Sequence, residues 1–216
     1  MAPFLFDGPA RSPRTLVLAH GAGAAMDSPF LETIAKGIGA AGFRVARFEF
    51  PYMRARREGG KKGPPDRVPA LLECWRETIR VLSGTDGPGS LVIGGKSMGG
   101  RIASMVADEA EVAGLVCLGY PFHPPGQPNK LRVAHLENLR TPALIVQGER
   151  DAFGTREEVA RYHLSKNIRI LFLEDGDHSF RPRAASGRTE AQNLAQAVAL
   201  VTGFLERASR GFPRSA

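Results

Sequence analysis

The sequence predicts an α/β protein built on an open, mostly parallel sheet of about six or seven strands with helices on both faces. Three observations carry that expectation. Short runs rich in β-branched residues recur at Thr15 to Ala19, Phe43 to Phe48, Leu91 to Ile93, Leu115 to Leu118, Ala143 to Val146 and Ile168 to Leu173. They are apolar on both faces, as strands inside a parallel sheet are. Segments with helical spacing separate them, and parallel strands need such crossovers, whose right-handedness spreads helices over both faces. The 216 residues, 43% hydrophobic and 24% charged, suit one compact domain over residues 1–216 and leave disorder, collagen and coiled coil without support.

Each helix has its own signal. After the first strand, Leu31, Ile34, Ile38 and Ala41 form one stripe, with Ser28 as a candidate N-cap and Pro29 in the first turn. Val68, Leu71, Trp75, Ile79 and Leu82 step by three or four residues, as do Leu194, Val198, Val201 and Leu205. Thr155 and Glu158 have capping-box spacing and open a further helix after the Ala143 strand. Three segments read as irregular: the first 14 residues, the basic stretch Pro51 to Asp66, and the proline-rich Tyr120 to Lys130. The last two follow strand carboxyl ends, where ligands bind in open α/β sheets.

Charge and cysteine content narrow the class. No apolar run reaches the roughly 20 residues a bilayer crossing needs, and the first residues lack an export pattern, so the expectation is a cytoplasmic protein without a membrane partner. Cys74 and Cys117 lie far apart without CxxC spacing, which supports neither a disulfide framework nor a zinc site. The net charge of +7, from 29 basic and 22 acidic residues, is a modest excess and fits scattered surface charge. Arg54, Arg56, Arg57, Lys61 and Lys62 form a local cluster that could clamp a carboxylate or phosphate. Nucleic-acid binding there is disfavoured, because only Tyr52 could supply a stacking platform.

The chemistry begins at Gly95-Lys96-Ser97-Met98-Gly99, directly after a strand and before a helical segment. This is a GxSxG nucleophile elbow: the tight turn exposes the serine hydroxyl, and the glycines let strand and helix approach. GxSxG alone is weak, arising by chance in roughly one chain of this composition in seven, so its position matters more than its letters. A P-loop reading of Gly95-Lys96-Ser97 fails, since Ser90 stands where its first glycine is required.

A serine needs a base, and the base needs an acid to hold its tautomer. Asp151 and His178 each follow their own strand, in the chain order serine, aspartate, histidine. Asp175 and Asp177 are rival acids, poorly placed beside the histidine they would have to orient. Backbone N–H groups of Met98 and Ala22 are the candidate oxyanion hole, with Gly23 or Ala24 as alternatives to Ala22. His20 orders that loop or serves as a second base. His123 and Tyr52, near the expected rim, are candidate substrate contacts, with a structural hydrogen bond as the competing role for His123.

The motifs HGAGA, GKSMG, QGERDAFG and DGDHSF together resemble the α/β-hydrolase superfamily. FEFPYMRARREGGKKGPP, GKSMGGRIAS and LGYPFHPPGQPNKLRVAHL are similar, more narrowly, to the small hydrolase-like family that includes testis-expressed protein thirty and a subunit of the non-specific-lethal complex. The resemblance runs from about Thr15 onward. It implies the α/β-hydrolase fold and a triad of Ser97, Asp151 and His178. The two rim loops are too short for a large cap domain, and the oxyanion strand comes so early that the first strands of the full superfamily sheet are expected to be missing. The expected activity is cleavage of a small-molecule ester, thioester or related acyl substrate without metal or cofactor. A catalytically idle binding module is the alternative. Dienelactone hydrolases proper carry a cysteine nucleophile where Ser97 stands.

Overall fold

The computed structural model describes residues 4–84 and 86–211. The strands are β1 (Leu5–Asp7), β2 (Thr15–Ala19), β3 (Arg44–Phe48), β4 (Leu91–Lys96), β5 (Gly114–Leu118), β6 (Ala143–Gly148) and β7 (Ile168–Leu173). The helices are α1 (Pro29–Ala40), α2 (Pro51–Arg57), α3 (Val68–Ser83), α4 (Met98–Val106), α5 (Arg156–Val159) and α6 (Glu190–Arg210). One sheet runs in the order β1-β3-β2-β4-β5-β6-β7. All neighbours are parallel except β1, which pairs antiparallel to β3 with Leu5 opposite Arg47.

The two-residue period of the strands divides the core. Val17, Ile93, Leu115 and Ile145 face one layer with Trp75 of α3 and Ile102 and Val106 of α4. Leu16, Leu18, Val92, Val116 and Leu144 face the other, with α1 and α6. Trp75 is fully buried, edge-on to Phe48 at 4.7 Å between centroids, which makes the α3 stripe a packing surface. Helices on both faces bury the central strands β4, β5 and β6 on both sides, which is why these carry no polar alternation.

Two segments expected to be irregular each contain one regular element, residues 1–3 lying outside the described residues. In the first 14 residues, β1 is fixed by a buried ion pair, Arg47 Nη2 to Asp7 Oδ2 at 2.9 Å. Within Pro51 to Asp66, α2 forms because Pro51 occupies its first turn and three arginines its last, where the helix dipole favours them. Tyr52 and Met53 are its buried face. The capping box of Thr155 and Glu158 forms, although α5 spans only four residues. Ser28 precedes α1 without a side-chain capping bond. Among the described residues no helix is long and apolar enough to cross a membrane, and no cap domain covers the strand ends.

Candidate active site

The serine sits at a tight turn of the backbone. Ser97 has φ 52° and ψ −117°, a strained conformation for a residue with a side chain, between the last residue of β4 and the first of α4. Its N–H donates to Leu118 O of β5 at 3.0 Å, and its carbonyl accepts from Arg101 N at 3.0 Å, so strand and helix both hold the turn. Glycine is obligatory on either side: a Cβ at Gly95 would stand 2.2 Å from Ala19 O, and one at Gly99 2.5 Å from the same atom. The close approach of β2 leaves no room for a methyl group.

Asp151 and His178 come from the neighbouring strand ends. The loops after β6 and β7 touch so closely that a Cβ at Gly148 would lie 2.3 Å from Asp177 O. His178 Nδ1 is 2.8 Å from Asp151 Oδ2, and His178 Nε2 is 2.9 Å from Ser97 Oγ. Since a carboxylate only accepts, Nδ1 carries the proton and Nε2 is free to accept from the serine. Asp151 is fully buried, and its remaining bonds come from Phe153 N to Oδ1 and Gln147 Nε2 to Oδ2, both at 2.9 Å. Every group around this carboxylate is therefore a donor. The rival acids are engaged elsewhere: Arg183 and Arg150 bind Asp175, whose carboxyl is held down to about 2 chiefly by the Arg183 hydrogen bond. Asp177 Oδ1 accepts from Ser179 N and Arg181 N.

Three supporting side chains escaped the sequence reading. Gln147 accepts from Tyr120 N at 2.7 Å and donates to Asp151, so it ties the acid to the end of β5. Phe153 lies against the imidazole of His178 with centroids 4.2 Å apart. Lys96, inside the elbow, donates from Nζ to His178 O at 2.5 Å and lies 5.4 Å from the ring centroid of Phe30. Burial pushes its ammonium down to about 8, partly opposed by Asp151 and Asp177. Only a buried glutamine two positions before the glutamate of the Gly148-Glu149-Arg150-Asp151 loop hinted at this support, and its partner was invisible without the fold.

The loop after β2 is positioned by two aromatic groups. His20 is buried; its Nε2 accepts from Phe50 N at 3.1 Å, so its Nδ1 donates to Gly21 O at 2.7 Å. Burial lowers its pKa and favours this neutral tautomer. The Tyr52 hydroxyl donates to Ala22 O at 2.9 Å and lies 3.3 Å from Gly21 O. With Gly21 O fixed and the peptide trans, the N–H of Ala22 is directed to the opposite side. Met98 opens α4, so its N–H has no partner within the helix.

Two cavities open on Ser97. One of about 470 Å³ is lined mainly by apolar groups, among them Ala22, Phe30, Phe153 and the His178 ring, with Lys96 in its wall. The other, about 250 Å³, is lined by Ala22, Met98, Pro121, Phe153, Arg101 and Arg132. A larger depression between α1 and α6, at Gly37, Leu194 and Val198, is lined by neither histidine nor cysteine.

The expected substrate contacts stand elsewhere. Tyr52 is buried under the loop after β2 and lines neither cavity beside Ser97. His123 is buried too: Nδ1 lies 2.8 Å from Pro124 O and Nε2 3.4 Å from Glu158 Oε2, because its backbone is drawn inward by a bond to Phe153 O. The basic cluster is largely consumed internally. Arg57 pairs with Glu49 at 2.7 Å and Asp27 at 2.9 Å, Arg54 donates to Glu49 O, and Arg56 donates to Gly63 O.

A parallel sheet with a strained serine at a central strand end, hydrogen-bonded through imidazole to a buried carboxylate, defines the α/β-hydrolase class. The model of the alpha/beta hydrolase domain family matches residues 12–206, and the chain belongs to that family. Among solved structures, an alpha-beta serine hydrolase homologue from Coxiella burnetii is 20% identical, with a TM-score of 0.71 over 94% of this chain and 90% of that one. A serine hydrolase without lid from Xanthomonas campestris is 18% identical, with a TM-score of 0.66 over 96% and 87%. A dienelactone hydrolase from Anabaena variabilis is 19% identical, with a TM-score of 0.71 over 94% and 90%. At these identities the likeness concerns the fold.

Proposed function

We propose that this chain is a serine hydrolase cleaving small esters, thioesters or related acyl compounds through an acyl-enzyme on Ser97. The observation that carries the reading is the unbroken line from Asp151 Oδ2 through His178 to Ser97 Oγ, with both links at hydrogen-bond length. Ser97 Oγ bonds to the acyl carbon while its proton passes to His178 Nε2. The imidazolium formed is stabilised by Asp151 and returns the proton to the leaving oxygen or sulfur as that bond breaks. A water then attacks the acyl group by the same route, releasing the acid and restoring Ser97. Backbone N–H groups of Met98 and Ala22 hold the oxyanion in both steps, helped by the positive end of α4. The loop after β2 is preset for this role by His20 and Tyr52, which act on the backbone rather than on substrate.

A fluorophosphonate probe tests the proposal directly. The wild type labels at one serine and Ser97→Ala does not. Equal labelling of the two, or no labelling of a folded wild type, sinks the mechanism and leaves the fold as a binding module.

A further inference from the structure

The smaller cavity beside Ser97 is lined by two cationic side chains that have no counter-ion among the described residues. Arg101 lies one turn into α4 from the serine, and Arg132 comes from the loop after β5. Neither takes part in any ion pair among the described residues, although most arginines that surround the site do. Arg101 Nε is shielded from solvent and has no hydrogen-bond partner. A desolvated donor left unpaired is costly, and two guanidinium groups in one cavity repel each other. The neighbours do not relieve this. His135 bonds Ser104 Oγ at 2.8 Å, and burial together with Arg101 lowers its pKa, which keeps it neutral. The Tyr120 phenol donates to Arg132 O at 2.9 Å and is held protonated by burial. Burial and the charge of Arg101 also lower the pKa of Arg132.

The backbone also places both arginines at this cavity. Arg101 is fixed by the helix that Ser97 opens, and its backbone N–H bonds Ser97 O. Arg132 is fixed by its backbone bond to Phe122 O and by the Tyr120 hydroxyl. These bonds anchor the two backbones at the cavity, and the guanidinium groups they carry match the oxygens of a carboxylate or phosphate. The cavity, at about 250 Å³, has room for a small anionic fragment, whereas the apolar cavity on the other side of the serine suits an uncharged portion.

We infer that Arg101 and Arg132 form an anion subsite, and that the substrate is a small ester or thioester carrying its own carboxylate or phosphate within a few bonds of the carbonyl attacked by Ser97. The inference rests on the hydrolase reading and adds to it the charge of the substrate. It assigns the recognition of anions to these two arginines, away from the cluster at Arg54 to Lys62.

The test compares two esters of equal length, para-nitrophenyl hemiglutarate and para-nitrophenyl pentanoate, after subtraction of spontaneous hydrolysis. The wild type favours the charged ester in kcat/KM by at least about tenfold, the effect of one or two charge-assisted hydrogen bonds, and Arg101→Gln and Arg132→Gln each lose most of that ratio. A second measurement needs no variant: at constant ionic strength, glutarate or inorganic phosphate slows fluorophosphonate labelling of the wild type. Whichever protects at lower concentration identifies the anionic group as carboxylate or phosphate. A wild type that labels but prefers the neutral ester and is unprotected by both anions overturns the subsite alone. A ratio that survives both substitutions overturns it as well, and a folded wild type that never labels overturns the hydrolase reading beneath it.

Discussion

Asp151→Asn changes the site by one oxygen, and the structure says what that oxygen does. The carboxylate receives three hydrogen bonds: from His178 Nδ1 at 2.8 Å, Gln147 Nε2 at 2.9 Å and Phe153 N at 2.9 Å. An asparagine brings one acceptor and one NH₂ group to the same three donors, so at least one donor must face another. If the amide oxygen stays toward Phe153 N, the NH₂ group meets His178, which then accepts at Nδ1 and carries its proton on Nε2. That tautomer cannot take the proton of Ser97, and the analogous defect in a serine triad costs about 10⁴ in kcat. In the opposite orientation the ring keeps its tautomer but the buried Phe153 N–H loses its partner. Either way an unsatisfied buried group costs about 1–3 kcal/mol, which in a chain of this size lowers Tm by roughly 3–10 °C. The assay pairs steady-state hydrolysis of para-nitrophenyl butyrate with a thermal melt. Activity within tenfold of the wild type, in a variant whose melt has dropped as expected, refutes Asp151 as the residue that orients the base.

Other perturbations have equally definite outcomes. Tyr52→Phe removes the hydroxyl that holds Ala22 O and Gly21 O, so kcat falls by about tenfold while KM stays near its starting value; a rise in KM with kcat intact would place that hydroxyl on the substrate instead. Lys96, pushed down to about 8 against about 10.4 in an unfolded chain, is a stability cost at neutral pH. Between those two values the unfolded chain binds more protons, so stability rises with pH, by at most about 3 kcal/mol. The Tm of the wild type relative to Lys96→Met therefore climbs between pH 7.5 and 10, and a flat or falling difference contradicts the buried charge. Gly94→Ala places a Cβ 1.9 Å from Val116 O, between two central strands that cannot move apart; a cost above about 4 kcal/mol makes the protein insoluble or unfolded by circular dichroism, and a soluble, normally melting variant would refute the register.

Much of the fold was legible because its signals are local. β2 and β7 begin and end where the apolar runs do, and the glycines of GxSxG declare a turn in which no Cβ fits. α2 was missed because Pro51 to Asp66 is read by charge, whereas the helix is decided by a proline in its first turn and two buried side chains beneath it. β1 was missed for a similar reason: three residues carry no periodicity, and what fixes them is Asp7 meeting Arg47, 40 residues away in sequence.

By itself, then, the sequence determined the alternation of strands and helices and the backbone turn at Ser97, since both are written in side-chain size and spacing over a few residues. Only the tertiary structure decided that Asp151, and neither Asp175 nor Asp177, reaches the imidazole; that Tyr52 and His123 turn inward; and that Arg57 is neutralised while Arg101 and Arg132 find no ion-pair partner among the described residues. Those outcomes depend on the distances between strand ends. The serine and histidine that meet at 2.9 Å are separated by 81 positions along the chain, and no local pattern encodes such a distance.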